Sequence, residues 1–174
     1  MMQIIGYKAF NSDKTNRYAQ SFEINKKYQV CGKVKFGTNG NGYHFCKNIC
    51  DVFRYFEKSL DINIALVIGS GNYEVFNDEY YGYYDMYVTR CLKIIKFLTR
   101  EEIIEAVINS SERDIIKFIT TAQMSTNEIK TFLNLYKSNK AVLKYILYYQ
   151  LLQSDAFNIE NNKILERVNK LWIK

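Results

Sequence analysis

At Thr99 the chain changes its hydrophobic period, and that change limits the fold more than any other feature. Downstream, Thr99-x-x-Glu102, Ser111-x-x-Asp114 and Ser125-x-x-Glu128 each set a hydroxyl three residues before an acid, just ahead of an apolar-periodic run. Such a hydroxyl accepts a hydrogen bond from an otherwise unpaired amide of the first turn, and so starts a helix. The predicted helices span 100–109, 112–121, 126–137, 139–153 and 160–173; short connections make them an antiparallel bundle. Upstream, apolar residues come in short runs separated by turn clusters, as strands do. The runs are Ile4 to Phe10, Phe22 to Val30, Lys33 to Phe36, Tyr43 to Cys46, Ile62 to Ile68 and Tyr87 to Phe97, with Gly69 to Asn72 closing the fifth. Between them Ile49, Val52, Phe53 and Phe56 follow helical spacing. The expected class is α+β: a β-rich N-terminal module (1–98) with one helix at about 48–58, then a C-terminal module (99–174), a bundle of about five helices.

The 174 residues suffice for one ordinary domain or two small ones, and an apolar fraction of 48% excludes wholesale disorder. Proline is absent, which excludes proline-rich and collagen-like segments. Four scattered cysteines do not make a disulfide framework. The first residues lack the basic and apolar regions of a signal peptide, and no run is long enough to span a bilayer, so the expected location is cytoplasmic, with no membrane partner.

Charge is segregated. Residues 1–60 hold ten Lys/Arg against four acids, residues 61–89 hold five acids and no Lys or Arg, and residues 90–174 hold fourteen basic against nine acidic. Two basic regions thus flank an acidic, tyrosine-rich insert, and basic surfaces favour acidic or phosphate-bearing partners.

Four groups carry candidate chemistry. His44 is the only histidine, and on a strand it shares a face with Cys46, with Cys50 one helical turn on. Adding Cys31 or Cys91 would complete a zinc set, but the paired CxxC spacing of metal sites is missing, and no metal is expected. A Cys46 nucleophile with His44 as base suffers from residues i and i+2 sharing a face without direct contact. Gly37 to Gly42 leads into a strand, without the features of a phosphate loop, and reads as a flexible hairpin connection. The segment around Tyr80, Tyr81, Tyr83 and Tyr84, with Asp78, Glu79 and Asp85 interleaved, combines anchoring aromatics with acids and is a candidate surface for a basic partner. Lys137, Lys140 and Lys144, among Tyr145, Tyr148 and Tyr149, form a basic-aromatic face suited to nucleic acid.

Gly6-Tyr7-Lys8-Ala9-Phe10, Gly42-Tyr43-His44-Phe45-Cys46 and Asp51-Val52-Phe53-Arg54-Tyr55 resemble a bacterial and phage domain family of unknown function, with a GYKAF…GFHFC…DVFxYY pattern, over residues 4–105. The chain departs from that pattern at Asn25-Lys26, where a glycine is usual, and at Ile49-Cys50, where a proline is. The layout is more loosely similar to ADP-ribosyltransferase-like domains. That resemblance implies an NAD pocket with Lys8 on the first strand, His44 on a later one and a glutamate near the end, for which Glu79 is the candidate.

The leading expectation is a phage- or prophage-type protein that binds a macromolecular partner, a protein or ribonucleoprotein, without catalysis or cofactor; inhibition of a CRISPR-type host defence nuclease complex is its most concrete form. The alternatives are an NAD-using, ADP-ribosyltransferase-like enzyme and a nucleic-acid-binding protein.

Overall fold

The computed structural model describes residues 2–16, 18–37, 40–55, 60–78 and 83–151, the side chains of 77–78, 83–85 and 150–151 excepted. Strands come first and helices last, an α+β fold. The strands are β1 (Gln3–Phe10), β2 (Lys27–Gln29), β3 (Tyr43–Cys46), β4 (Asn63–Asp78) and β5 (Tyr83–Phe97). A short helix α1 (Ile49–Val52) sits between β3 and β4, and α2 (Arg100–Ile108), α3 (Glu112–Thr121), α4 (Thr126–Leu135) and α5 (Lys140–Tyr145) follow β5. A π-helical turn, Ile146–Leu151, continues α5; the predicted helix 160–173 lies outside the described residues.

All strand pairings are antiparallel. β1 pairs with β4, β4 with β5, β5 with β3 and β3 with β1, so four strands close a ring, and β2 adds to β5. The ring interior holds Ile4, Phe10, Phe45, Ala65, Val67, Leu92 and Ile94, with Phe22 packed against Phe10 at 5.1 Å between ring centroids. Two glycines make room there. A Cβ on Gly6 or on Gly69 would run into the Phe45 ring, so only glycine at both positions lets that ring lie between the strands.

The opposite face of the sheet, at Ala9, Cys46 and Ile64, packs under the helices, in one cluster with Phe53, Ile103, Phe118, Phe132 and Val142. The three predicted caps start α2, α3 and α4, and those of Thr99 and Ser125 are reciprocal, the acid accepting the cap's own amide. Arg100 of α2 grips Glu128 of α4 with two hydrogen bonds, of 2.6 and 3.0 Å.

Several expected boundaries move. The predicted helix 48–58 is cut to α1, because Asp51, Arg54 and Tyr55 donate to carbonyls only three residues back, tight turns that do not propagate an α-helix; residues 56–59 lie outside the described residues. The run from Phe22 to Val30 is strand only at β2, since Asn25 adopts φ 64°, in the left-handed region, and its amide donates to the Ile94 carbonyl. Lys33 to Phe36 is an ordered loop bridged once, Lys35 to Asn41, between Gly32 at φ 82° and Gly37 at φ 116°. Gly69 to Asn72 does not end a strand. Gly71 sits at φ 87° within a bulge between Ser70 and Tyr73, and β4 runs on to Asp78.

Candidate ligand groove

β1 and β3 share one paired position, Tyr7 opposite Cys46. No other residues of the two strands pair, and a cavity of about 590 Å³ lies against both. Consecutive residues of a regular strand point to opposite faces. Tyr7, Lys8 and Ala9 of β1 and all four residues of β3 border this cavity, through backbone as well as side-chain atoms. Lys8 bridges it, its Nζ donating to the His44 carbonyl at 2.8 Å and lying 5.7 Å from the centre of the Phe10 ring.

The remaining walls come from α1, the loop before β3, the segment after β1 with Asn16, Tyr18 and Gln20, and Phe76 and Met86 of β4 and β5. The turn after α1 supplies Tyr55. Phe36 stacks on Phe76 with centroids 4.2 Å apart and planes 4° from parallel, and meets His44 edge-on at 5.3 Å. The loop is pinned: the Phe36 amide donates to the Glu74 carboxylate at 3.0 Å, and the Asn41 side chain donates to the carbonyls of Cys31 and Lys33 at 2.6 and 3.1 Å. Gly42, at φ 128°, admits the chain into β3 where a Cβ would strike Val88. Among the described lining residues there is a lysine, a histidine, several aromatics and side-chain amides, and no carboxylate. That composition suits a flat ring joined to a negatively charged group.

Cys46 also lines the groove, but burial pushes its thiol up to about 12, as it does that of Cys50. Both stay protonated near neutral pH, which disfavours the nucleophile and zinc-ligand readings. Among the described residues no three His, Cys, Asp or Glu side chains gather as a metal site. Cys91 is buried on β5, where its thiol donates to Gln29, and Cys31 is exposed.

The structure therefore brings Lys8 and His44 together. Glu79, Tyr80 and Tyr81 lie outside the described residues; Asp78 ends β4 opposite Tyr83, the first residue of β5, and Tyr84 and Asp85 follow it. Lys137, Lys140 and Lys144 are exposed, at the turn before α5 and along it; of the tyrosines expected among them Tyr148 is exposed, whereas Tyr145 and Tyr149 pack against the helix cluster. Sequence reasoning missed Phe36, Tyr55 and Phe76, whose convergence depends on strand register and loop path.

It also missed a buried ion cluster. Asp51 on α1 is 2% exposed and accepts from Lys117 Nζ of α3 at 2.8 Å, while Asp114 lies 3.0 Å from the same ammonium. Burial pushes the Asp51 carboxyl up against the pull of Lys117. Burial also opposes the Lys117 charge, but hydrogen bonds to both carboxylates outweigh it and hold the ammonium above its ordinary range. No local pattern in the sequence pairs residues 51 and 117.

Among the described residues no helix is long and apolar enough to cross a membrane. No curated protein and no solved structure matches the chain. Residues 4–106 match the domain of unknown function DUF7666, a span that holds all five strands, the groove and α1. The chain belongs to the DUF7666 family.

Proposed function

We propose that the chain is a ligand-binding domain whose groove takes a nucleotide-type ligand, with NAD as the first candidate. The observation that carries this reading is the cavity that Lys8 and His44 border together, beside the Phe36–Phe76 stack. A nicotinamide or adenine ring matches the aromatic wall, and the diphosphate matches the Lys8 end. The looser likeness to ADP-ribosyltransferase-like domains in the order of these residues points the same way.

Calorimetric titration with NAD, and separately with ADP-ribose, tests the reading. Saturable heat is expected for wild type, with affinity at least tenfold weaker in Lys8→Met and in His44→Ala, both melting near the wild-type temperature. Product analysis of the same samples separates binding from turnover: released nicotinamide makes the chain an enzyme, and intact NAD leaves a binding domain. Absence of saturable heat with both ligands, or a Lys8→Met variant that titrates like wild type, sinks the nucleotide reading.

A further inference from the structure

β1 accompanies β4 only as far as Gln3 opposite Ser70. β4 then continues from Gly71 to Asp78 with β5 along one side, and among the described residues no strand covers its other edge. Exposed edges are usually blunted by lysine, by proline or by brevity. This one is eight residues long, in a chain without proline and within a stretch, 61–89, without Lys or Arg, although Lys33 of the loop before β3 borders Gly71 to Glu74.

Its side chains are arranged for contact on the face opposite the Phe36–Phe76 stack, where Tyr87 stacks on Phe45. Phe76 turns to the Phe36 stack, whereas Tyr73 and Val75 are 41% and 45% exposed at alternate positions. Tyr87 of β5 stands opposite Val75, with its ring centre 6.3 Å from that of Tyr73, so the three make one apolar strip. Asp78 and Glu74 belong to the same strand, the Glu74 carboxylate accepting from the Phe36 amide on the groove side, and the acidic 61–89 stretch contrasts with a chain of net charge +6.

We propose that this edge receives an extended, arginine- or lysine-bearing segment of a partner protein by strand addition. Main-chain hydrogen bonds would supply affinity, alternate apolar side chains would meet Tyr73 and Val75, and the cations would meet the acidic surroundings. A second acidic ribbon of the same kind would be repelled at close approach, which disfavours edge-to-edge pairing of two copies. The proposal does not depend on the groove.

The test is fluorescence anisotropy with a labelled ten-residue peptide of alternating Arg and Val, set against a Glu-Val counterpart, with amide hydrogen exchange on the bound protein. The expected result is saturable binding of the basic peptide alone, with exchange slowed across 71–78. Tyr73→Lys with Val75→Lys should weaken binding at least tenfold, while Lys8→Met leaves it unchanged. The proposal is overturned if the basic peptide does not bind or the acidic one binds equally well. It also fails if protection falls elsewhere, if the double-lysine chain binds like wild type, or if sedimentation shows copies of the chain pairing through these amides. The exchange measurement uses the wild-type chain, so it decides the matter even if the double variant folds poorly.

Discussion

The ring interior and the layer beneath the helices bury similar kinds of apolar side chain, yet they are held in opposite ways. Inside the ring the volume is set by what is missing: Gly6 and Gly69 carry no Cβ, and Phe45 fills the space they leave. Beneath the helices the arrangement is set by what is paired. The two buried charged residues among those described, Asp51 and Lys117, both lie there and tie α1 to α3. A packed interior punishes added atoms, and a buried ion cluster punishes a lost partner. The two regions should therefore fail under different substitutions, and α1, which follows β3 at the groove, depends on the second.

The sharpest break in that contrast is Lys117→Met. Removing one partner of a buried pair leaves the other charge uncompensated, at about 3–5 kcal/mol. Chemical denaturation should show a loss of that order at neutral pH, and adding Asp51→Asn should recover much of it. If Lys117→Met melts like wild type, the cluster does not hold α1. The same contrast has a pH signature. Because the Lys117 ammonium is held above its usual 10.5, its contribution is fully present below that pH and is lost as pH climbs through the raised value. The double variant should lack this part of the alkaline decline, which separates it from tyrosine ionisation common to both chains.

The contrast also explains what the sequence could disclose. Caps and hydrophobic period act over three or four residues, so Thr99, Ser111 and Ser125 announced their helices to within a residue at the start. Glycine is ambiguous locally. Gly69 and Gly71 look like a strand's end, and only the packing of Phe45 and the bulge opposite β5 show that they keep a long strand going. The groove was half legible. His44 stands out as the only histidine and Lys8 enters only through the looser resemblance, but the meeting of β1 and β3 depends on pairing 39 residues apart, Tyr7 with Cys46, which no local pattern encodes. The Asp51–Lys117 pair spans 66 residues and was not legible at all.

On the ring side, Gly69→Ala tests whether missing atoms set the volume. The new methyl would overlap the Phe45 ring and crowd the Thr89 side chain, so the strands must shift. Overpacking of this kind costs about 1–3 kcal/mol. Trimming the obstacle should relieve it, so Gly69→Ala together with Phe45→Leu should lose less than the two single losses added. Strict additivity would mean that Gly69 and Phe45 do not share the space, and the account of the ring interior would fail.

The smallest expected effect separates the caps from both cores. Ser125 accepts from the Glu128 amide at 3.3 Å, and Glu128 returns a bond to the Ser125 amide at 2.7 Å while also holding Arg100. Ser125→Ala removes only the hydroxyl half, at about 1 kcal/mol. Glu128→Ala removes the return bond and both bonds to Arg100, whose guanidinium lies over the Phe118 ring, so it should cost more and should couple to substitutions in the helix layer. The carboxylate of Glu128 is held below its usual range: burial raises it, but the hydrogen bonds from Arg100 and Ser125 outweigh burial. Its contribution is therefore present above the usual glutamate range and lost as pH falls through the lowered value. A Ser125→Ala loss equal to that of Glu128→Ala would mean that Arg100 contributes nothing through this contact. The layer would then be held by apolar packing and the Lys117 cluster alone.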